Sequence, residues 1–144
     1  MANSAADTKS ISTVWLWLPV VLWAATMFTF SSSLFTASNT SRIIAPILHW
    51  LIPGATAAAV GLGEFLVRKA AHFTEYCVLF WLLIRGPMAR RPYVAFAICV
   101  VYAALDETHQ IFVPGRSPSP YDVALDSTGA LFGRYLSALV SEIF

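Results

Sequence analysis

Four long stretches of the chain are dominated by apolar side chains and are separated by polar segments that contain Pro, Gly or Arg. Each stretch is close to the roughly 20 residues that an α-helix needs to cross a hydrocarbon core about 30 Å thick. The pattern predicts transmembrane helices over residues 14–30, 64–84, 93–113 and 122–143. We therefore expect an all-α fold, an integral membrane bundle of four transmembrane helices.

The segments outside these spans predict simpler structure. Residues 1–13 are polar, small and without periodicity, which is typical of a disordered N-terminal tail. Residues 31–63 mix Ser, Thr, Gly and Pro with a short apolar segment, which predicts an interfacial loop that could carry one surface helix. The first span resembles a signal peptide in position, but it is long and lacks a clear cleavage site, so we favour a retained helix. Residues 14–143 then form a single domain.

The turn between the second and third spans contains Arg85, Arg90 and Arg91, the densest basic cluster in the chain. Because cytoplasmic loops accumulate Lys and Arg, this turn is expected to be cytoplasmic. Both chain termini are then cytoplasmic as well. Residues 31–63 and 114–121 face the opposite side of the membrane.

Composition supports a membrane protein. Of the 144 residues, 58% are hydrophobic and 12% are charged, and the mean hydropathy is +0.67. Soluble domains carry about 25% charged residues. The net charge of +1, with dispersed basic residues, excludes the electrostatic footprint of a nucleic-acid-binding protein. Cys77 and Cys99 lie in apolar runs without CxxC spacing and are interpreted as small packing residues.

The charged residues within the spans lie at one end of the predicted bundle, at similar depths for a helix rise of about 1.5 Å per residue. Residues three and four apart share a helix face, so the second, third and fourth spans each have one polar stripe. The stripes are Arg68, His72 and Glu75, then Asp106, His109 and Gln110, then Asp122, Asp126 and Gly129. A charged side chain facing lipid costs at least about 2.5–3.5 kcal/mol near the bilayer centre, so we expect the stripes to face one another.

Such a cluster suits proton transfer beside an anion-binding site. His72 or His109 would act as general acid or base, oriented by Glu75, Asp106 or Glu107. The basic residues Arg68, Lys69 and Arg116 would bind an anionic headgroup or phosphate. The candidate catalytic residues are His72, Glu75, Asp106, Glu107 and His109. The candidate ligand-binding residues are Arg68, Lys69, Tyr76, Gln110, Arg116, Asp122 and Asp126.

Two other interpretations remain open. The histidines and carboxylates could hold a divalent metal such as zinc, but no HExxH or other tight metal spacing supports it, and we assign neither metal ligands nor a cofactor. Alternatively, the charges form an ion-pair network that only holds the helices in register. The attraction within buried ion pairs seldom offsets their desolvation, which favours a ligand or a reaction. Gly129 and Gly133 form a GxxxG step, which predicts close approach of another helix.

Two segments taken together resemble the VanZ-like family of small bacterial membrane proteins. The first is residues 68–76, RKAAHFTEY, and the second begins with DETHQ at residues 106–110. The second continues through Pro114, Gly115, Arg116, Asp122, Asp126, Gly129 and Gly133. The chain departs from the family pattern at two positions, since Ser33 stands where Gln is frequent and Asp126 where Asn is frequent.

The resemblance implies a multi-pass protein of the bacterial inner or plasma membrane, from a family whose founding member is associated with low-level resistance to the glycopeptide teicoplanin. We expect the protein to bind an anionic amphipathic envelope molecule at the outer membrane boundary, with acid or base modification of that molecule left open. The expected partner is a membrane lipid or lipid-linked envelope molecule and not nucleic acid, and a homo-oligomer is compatible with the sequence. The alternative is a non-enzymatic transporter, proton path or envelope-interaction protein with a structural polar network.

Overall fold

The computed structural model describes the backbone of residues 3–143 and the side chains of residues 13–140. Within that part of the chain the protein is entirely helical, which confirms the all-α prediction. The α-helices are α1 (Asn3–Ser31), α2 (Ala37–Leu51), α3 (Ala57–Arg85), α4 (Pro92–Gln110) and α5 (Pro120–Ile143). A short 3-10 helix, Ser33–Phe35, joins α1 to α2.

The helix boundaries differ from the predicted spans mainly at their N-terminal ends. Helix α1 begins at Asn3. The prediction of a disordered tail is therefore wrong for residues 3–13, which are part of the first helix. Residues 1 and 2 of the predicted tail lie outside the described range. Extending an existing helix adds one hydrogen bond per residue fixed, which is much easier than nucleation. Helix α3 begins seven residues before the predicted span, at Ala57, where the Thr56 side chain accepts a hydrogen bond from the Ala59 N–H.

Helix α2 forms within the segment predicted as an interfacial loop, and it packs against the first part of α3. The Ser41 hydroxyl donates a hydrogen bond to the Glu64 carboxylate. A Cβ on Gly63 would lie 2.8 Å from the Leu48 side chain, so the absence of a side chain at Gly63 permits this approach. The apolar segment in the loop is therefore a helix that covers one flank of α3.

By length and composition, one segment among the described residues, Thr13–Ser31 of α1, is long and apolar enough to cross a membrane. Most of its large apolar side chains are exposed at the protein surface, as lipid contact would require. In α3, α4 and α5 the polar stripes lower the hydropathy of otherwise apolar helices.

The closest helix packing is between α3 and α5, which run parallel. A Cβ on Gly129 would lie 2.3 Å from the Phe73 carbonyl oxygen, and a Cβ on Gly133 would lie 2.6 Å from the Cys77 carbonyl oxygen. Phe73 and Cys77 are one helical turn apart, as are the two glycines, so the backbones touch over a full turn. The prediction that the GxxxG step allows close helix approach is confirmed.

Large side chains of α3 fill the core against small residues of α4. Tyr76, Leu79, Phe80 and Leu83 are almost completely buried, and α4 presents alanine or cysteine every four residues, at Ala95, Cys99 and Ala103. Cys99 is buried and free, which agrees with a packing role. The apolar core therefore lies toward the C-terminal end of α3.

Helix α1 runs antiparallel to α3 and is held by hydrogen bonds to both α3 and α4. The Trp23 indole donates to the Glu75 carbonyl at 3.0 Å, and the Tyr102 hydroxyl donates to the Ala24 carbonyl at 2.6 Å. Farther along, a Cβ on Gly86 would lie 2.8 Å from the Leu16 carbonyl oxygen. These contacts orient the C-terminal end of α1 toward the predicted polar stripes.

The α3–α5 contact yields a first prediction. Replacing Gly129 by Ala should lower the free energy of unfolding by about 1–3 kcal/mol, because the new methyl group meets backbone atoms that cannot rotate away. The control is Gly61→Ala in α3, where a Cβ has no neighbour within 4 Å. Thermal unfolding of both variants in detergent measures the difference, and equal melting temperatures would contradict the packing argument.

Candidate functional site

Charged and polar side chains collect where the middle of α3 lies beside the start of α5 and the end of α4. We call this group the polar cluster. Its members are Arg68, Lys69, His72, Glu75, Asp106, Glu107, Gln110, Arg116, Asp122 and Asp126. All ten were predicted as site residues from the sequence, and the parallel arrangement of α3 and α5 brings their stripes to the same end of the bundle.

Two acid–base pairs join α3 to α5 on the N-terminal side of the glycine contact. Lys69 Nζ donates to Asp122 Oδ1 at 2.5 Å, and both side chains are partly buried. His72 Nδ1 lies 3.6 Å from Asp126 Oδ1. Because the two helices are parallel and their backbones touch one turn farther on, the two pairs follow each other in the same order along both helices.

Asp126 is the most deeply placed carboxyl group of the polar cluster, with 0% of the residue exposed. Neither of its oxygens has a hydrogen-bond partner among the described residues, and the separation from His72 exceeds a normal hydrogen bond. An isolated carboxylate in such a place is costly. The His72–Asp126 pair therefore has capacity for additional hydrogen bonds and for holding a proton.

Helix α4 contributes two carboxylates with different surroundings. Asp106 Oδ2 accepts a hydrogen bond from Gln110 Nε2 at 3.0 Å, one turn along the same helix. Glu107 Oε2 accepts from the Ser119 backbone N–H at 2.7 Å, immediately before α5 begins. A carboxylate at a helix N-terminus is favoured by the helix dipole, so Glu107 stabilises the start of α5. Its predicted catalytic role competes with this structural contact.

Arg116, in the loop between α4 and α5, binds the end of α1. Its guanidinium donates to the Phe30 carbonyl and to the Ser32 carbonyl, the latter at 3.5 Å. The last carbonyls of a helix lack intrahelical partners and attract cations. Burial lowers the pKa of Arg116 from its ordinary value, while Asp106 and Glu107 oppose that shift. Arg116 thus connects α1 to the polar cluster, a contact that its sequence position did not indicate.

His109 and Tyr76 lie at the edges of the polar cluster. The His109 ring stacks on Phe28 of α1, with 4.5 Å between ring centroids and 15° between planes. Tyr76 is 1% exposed and lies between the polar cluster and the apolar core, 6.3 Å from the Tyr102 ring centroid. Neither of these predicted site residues lines the cavities described next.

Two cavities adjoin in the polar cluster, and Arg68, His72 and Arg116 line both. The polar cavity has a volume of about 230 Å³ and is also lined by Lys69 and Asp122. The apolar cavity has a volume of about 220 Å³. Its additional lining includes Phe30, Phe35, Ile44, Val67 and Glu75. A cationic boundary therefore separates a polar compartment from a mostly apolar one.

The sequence did not predict the apolar cavity, because its walls come from four different elements. Phe30 lies in the last turn of α1, Phe35 lies in the 3-10 helix, Ile44 belongs to α2 and Val67 to α3. One sequence feature could have indicated an apolar helix face here: within α2, Ile44 is followed by Ile47 and Leu48 at intervals of three and four residues.

Unpaired polar atoms concentrate in the predicted site. Ten buried side-chain nitrogen and oxygen atoms within residues 13–140 lack a hydrogen-bond partner, and Ser31 alone among their residues was not predicted as a site residue. The others are in Arg68, His72, Tyr76, Asp106, Glu107, His109, Arg116 and Asp126. Buried polar atoms normally find partners, so this concentration indicates where a polar ligand would gain hydrogen bonds.

The two histidines have different neighbours, since His72 faces Asp126 and His109 faces Phe28. Within the described side chains, no group of three or more His, Cys, Asp or Glu is arranged to hold a metal ion. The metal interpretation required both histidines around one centre. Within the described side chains, the geometry does not support this metal interpretation.

Comparison with known proteins identifies the family. A family model described as VanZ/LLP1 matches residues 15–141. This range includes α2, α3 and α4 in full, most of α1 and α5, and both segments of the sequence resemblance. No curated protein and no solved structure gave a significant match. The apolar segment of α1 lies within the matched range and agrees with a membrane protein. The chain belongs to the VanZ/LLP1 family.

Proposed function

We propose that the protein is a multi-pass envelope membrane protein whose polar cluster binds an anionic amphipathic envelope molecule. The observation that carries the proposal is the pair of adjoining cavities, one polar and one apolar, that share Arg68, His72 and Arg116. An amphipathic ligand requires this combination of surfaces. Its anionic group would lie at the shared boundary, and its apolar part would enter the second cavity.

In this proposal α1, α3, α4 and α5 cross the membrane, with both termini cytoplasmic, and α2 lies along the outer boundary. Most charged residues of α3, α4 and α5 lie in the polar cluster, while Glu64 contacts α2 and Arg85 and Arg134 lie toward the opposite end of the bundle. Large apolar side chains remain exposed on the helix surfaces. This distribution suits lipid contact, because a charged group facing lipid is costly. The basic turn containing Arg85, Arg90 and Arg91 supports the orientation.

Arg68 is the principal candidate for binding the anion. It lines both cavities, and its buried Nη1 has no hydrogen-bond partner among the described residues. Lys69 is engaged with Asp122, and Arg116 is partly engaged with carbonyls of α1. Arg68 therefore has the greatest remaining capacity for a charge-assisted, bidentate contact with a phosphate or carboxylate.

His72 is the candidate for proton transfer in the enzymatic version of the proposal. It lines both cavities, so a group held at their boundary would lie next to the imidazole. Asp126, 3.6 Å away, would orient His72 and stabilise its protonated form. In this proposal Asp126 orients His72, a role for which the sequence analysis named Glu75, Asp106 or Glu107.

A link to resistance against teicoplanin-type glycopeptides is part of this proposal.

The alternative is a non-enzymatic protein whose polar network is structural or docks a partner. Its specific support is that Lys69, Glu107 and Arg116 each make a contact that holds two elements of the fold together. The two proposals differ in what they expect of Arg68 and His72. Arg68 Nη1 and His72 Nδ1 are buried without a hydrogen-bond partner among the described residues.

Arg68→Gln should reduce ligand occupancy about tenfold or more, because a hydrogen bond to a charged group contributes about 1.5–3 kcal/mol. Native mass spectrometry of protein extracted gently from its own membrane measures the adduct. Arg42→Gln is the matched control, since Arg42 is exposed and lines neither cavity. If the wild type and both variants all carry no adduct and melt at the same temperature, the structural alternative is favoured.

His72→Gln should abolish protection against teicoplanin in a bacterial strain that expresses the protein, while the amount of folded protein stays unchanged. The physical reason is that glutamine keeps a polar side chain at the cavity boundary but cannot exchange a proton near neutral pH. His49→Gln, at an exposed position on α2, is the matched control and should retain protection. Protection that survives in His72→Gln would contradict proton transfer by His72, and loss of folded protein would indicate a structural role.

The proposed orientation predicts that a reporter fused after Met88 is cytoplasmic and that one fused after Ser119 is outside. Both positions lie in segments between helices, so the fusions interrupt neither α3 nor α5. Paired enzymatic reporters, active on opposite sides of the membrane, distinguish the locations. An outward Met88 fusion would reverse the side assigned to the polar cluster.

A further inference from the structure

The end of the bundle opposite the polar cluster has a cavity of its own. It lies between the last turns of α3, the start of α4 and the C-terminal half of α5, and its volume is about 660 Å³. We call it the arginine cavity. Its lining includes Trp81, Ile84, Arg85, Pro92, Arg134 and Ser137.

The two arginines of this cavity are supported by aromatic rings and not by carboxylates. The Arg85 guanidinium lies over the Trp81 ring, 4.5 Å from its centroid, and the Arg134 guanidinium lies over the Tyr93 ring at 4.7 Å. Among the side chains of residues 13–140, neither guanidinium has an acidic group within ion-pair distance. Stacking orients the planar group and leaves its N–H edge available for an acceptor.

The rest of the cavity wall is apolar, with a hydroxyl close to Arg134. Trp81, Ile84 and Pro92 supply apolar surface, and Ser137 lies one turn after Arg134. Tryptophan and tyrosine favour the boundary between headgroups and acyl chains, and Trp81 and Tyr93 are both exposed there. A cationic pair beside an apolar wall is the surface that a phospholipid headgroup and the first part of its chains would contact.

We propose that the arginine cavity binds the phosphate of an anionic phospholipid, with the acyl chains packed against its apolar wall. Arginine binds phosphate through two parallel N–H···O bonds, and Arg85 and Arg134 together provide two such groups. A zwitterionic lipid would bring its own cationic ammonium toward the guanidinium groups. The cavity therefore discriminates against phosphatidylcholine. This site is separate from the polar cluster and does not depend on its proposed function.

The test is a titration of the full-length protein in detergent micelles, followed by native mass spectrometry. Phosphatidylglycerol should bind the wild type about tenfold or more tightly than phosphatidylcholine with the same acyl chains, a preference of about 1.4 kcal/mol or more. Arg134→Gln should remove most of this preference. Arg90→Gln is the matched control, because Arg90 is an exposed arginine of the same basic turn that does not line the cavity, and it should keep the preference.

A second variant, Ser137→Phe, keeps both arginines and places a phenyl ring in the cavity beside Arg134. It should therefore also weaken phosphatidylglycerol binding, even if Arg134→Gln fails to fold. Equal binding of the two lipids by the wild type would overturn the proposal. If Arg90→Gln and Arg134→Gln lose the preference for phosphatidylglycerol to the same extent, the proposal is also overturned, because the lipid would then respond to diffuse surface charge. Displacement of the lipid by excess inorganic phosphate would assign the cavity to free phosphate and overturn the lipid assignment.

Discussion

The backbone contact between α3 and α5 is the constraint on which the rest of the arrangement depends. Gly129 and Gly133 allow α5 to rest directly on the Phe73 and Cys77 carbonyls, and any side chain at either glycine would push the helices apart. Contact at this distance determines both the separation of the helices and their rotation about their own axes. Two residues of α3 then lie next to two carboxylates of α5, with Lys69 beside Asp122 and His72 beside Asp126.

That arrangement has a large electrostatic cost, and the structure offsets only part of it. Lys69 and Asp122 form a close ion pair, Glu107 stabilises the start of α5, and Arg116 stabilises the end of α1. The remaining members are less well paired: both oxygens of Asp126 and one nitrogen each of Arg68 and His72 are buried without hydrogen-bond partners in the described residues. Among the residues with unpaired atoms, Arg68 and His72 line both cavities.

The two ends of the bundle differ in how their arginines are held. In the polar cluster, Arg116 binds backbone carbonyls and carboxylates lie nearby. In the arginine cavity, Arg85 and Arg134 rest on aromatic rings in an apolar surrounding. The first environment suits selective binding of a particular anionic group with proton exchange. The second suits the phosphate of an anionic lipid.

The sequence by itself determined the helical class, the close approach at the GxxxG step and the members of the polar stripes, because these depend on local apolar runs and on the 3.6-residue period. It also carried the two segments that identify the family. Tertiary structure alone decided which residues of different stripes meet. His72 faces Asp126, whereas His109 stacks on Phe28. Arg116 contacts α1, which is distant in the sequence. These contacts depend on how each helix is rotated about its axis, and that rotation is set by packing between helices and not by residue spacing within one helix. The apolar cavity was also decided by tertiary structure alone, because its walls come from four elements that come together only in the folded chain.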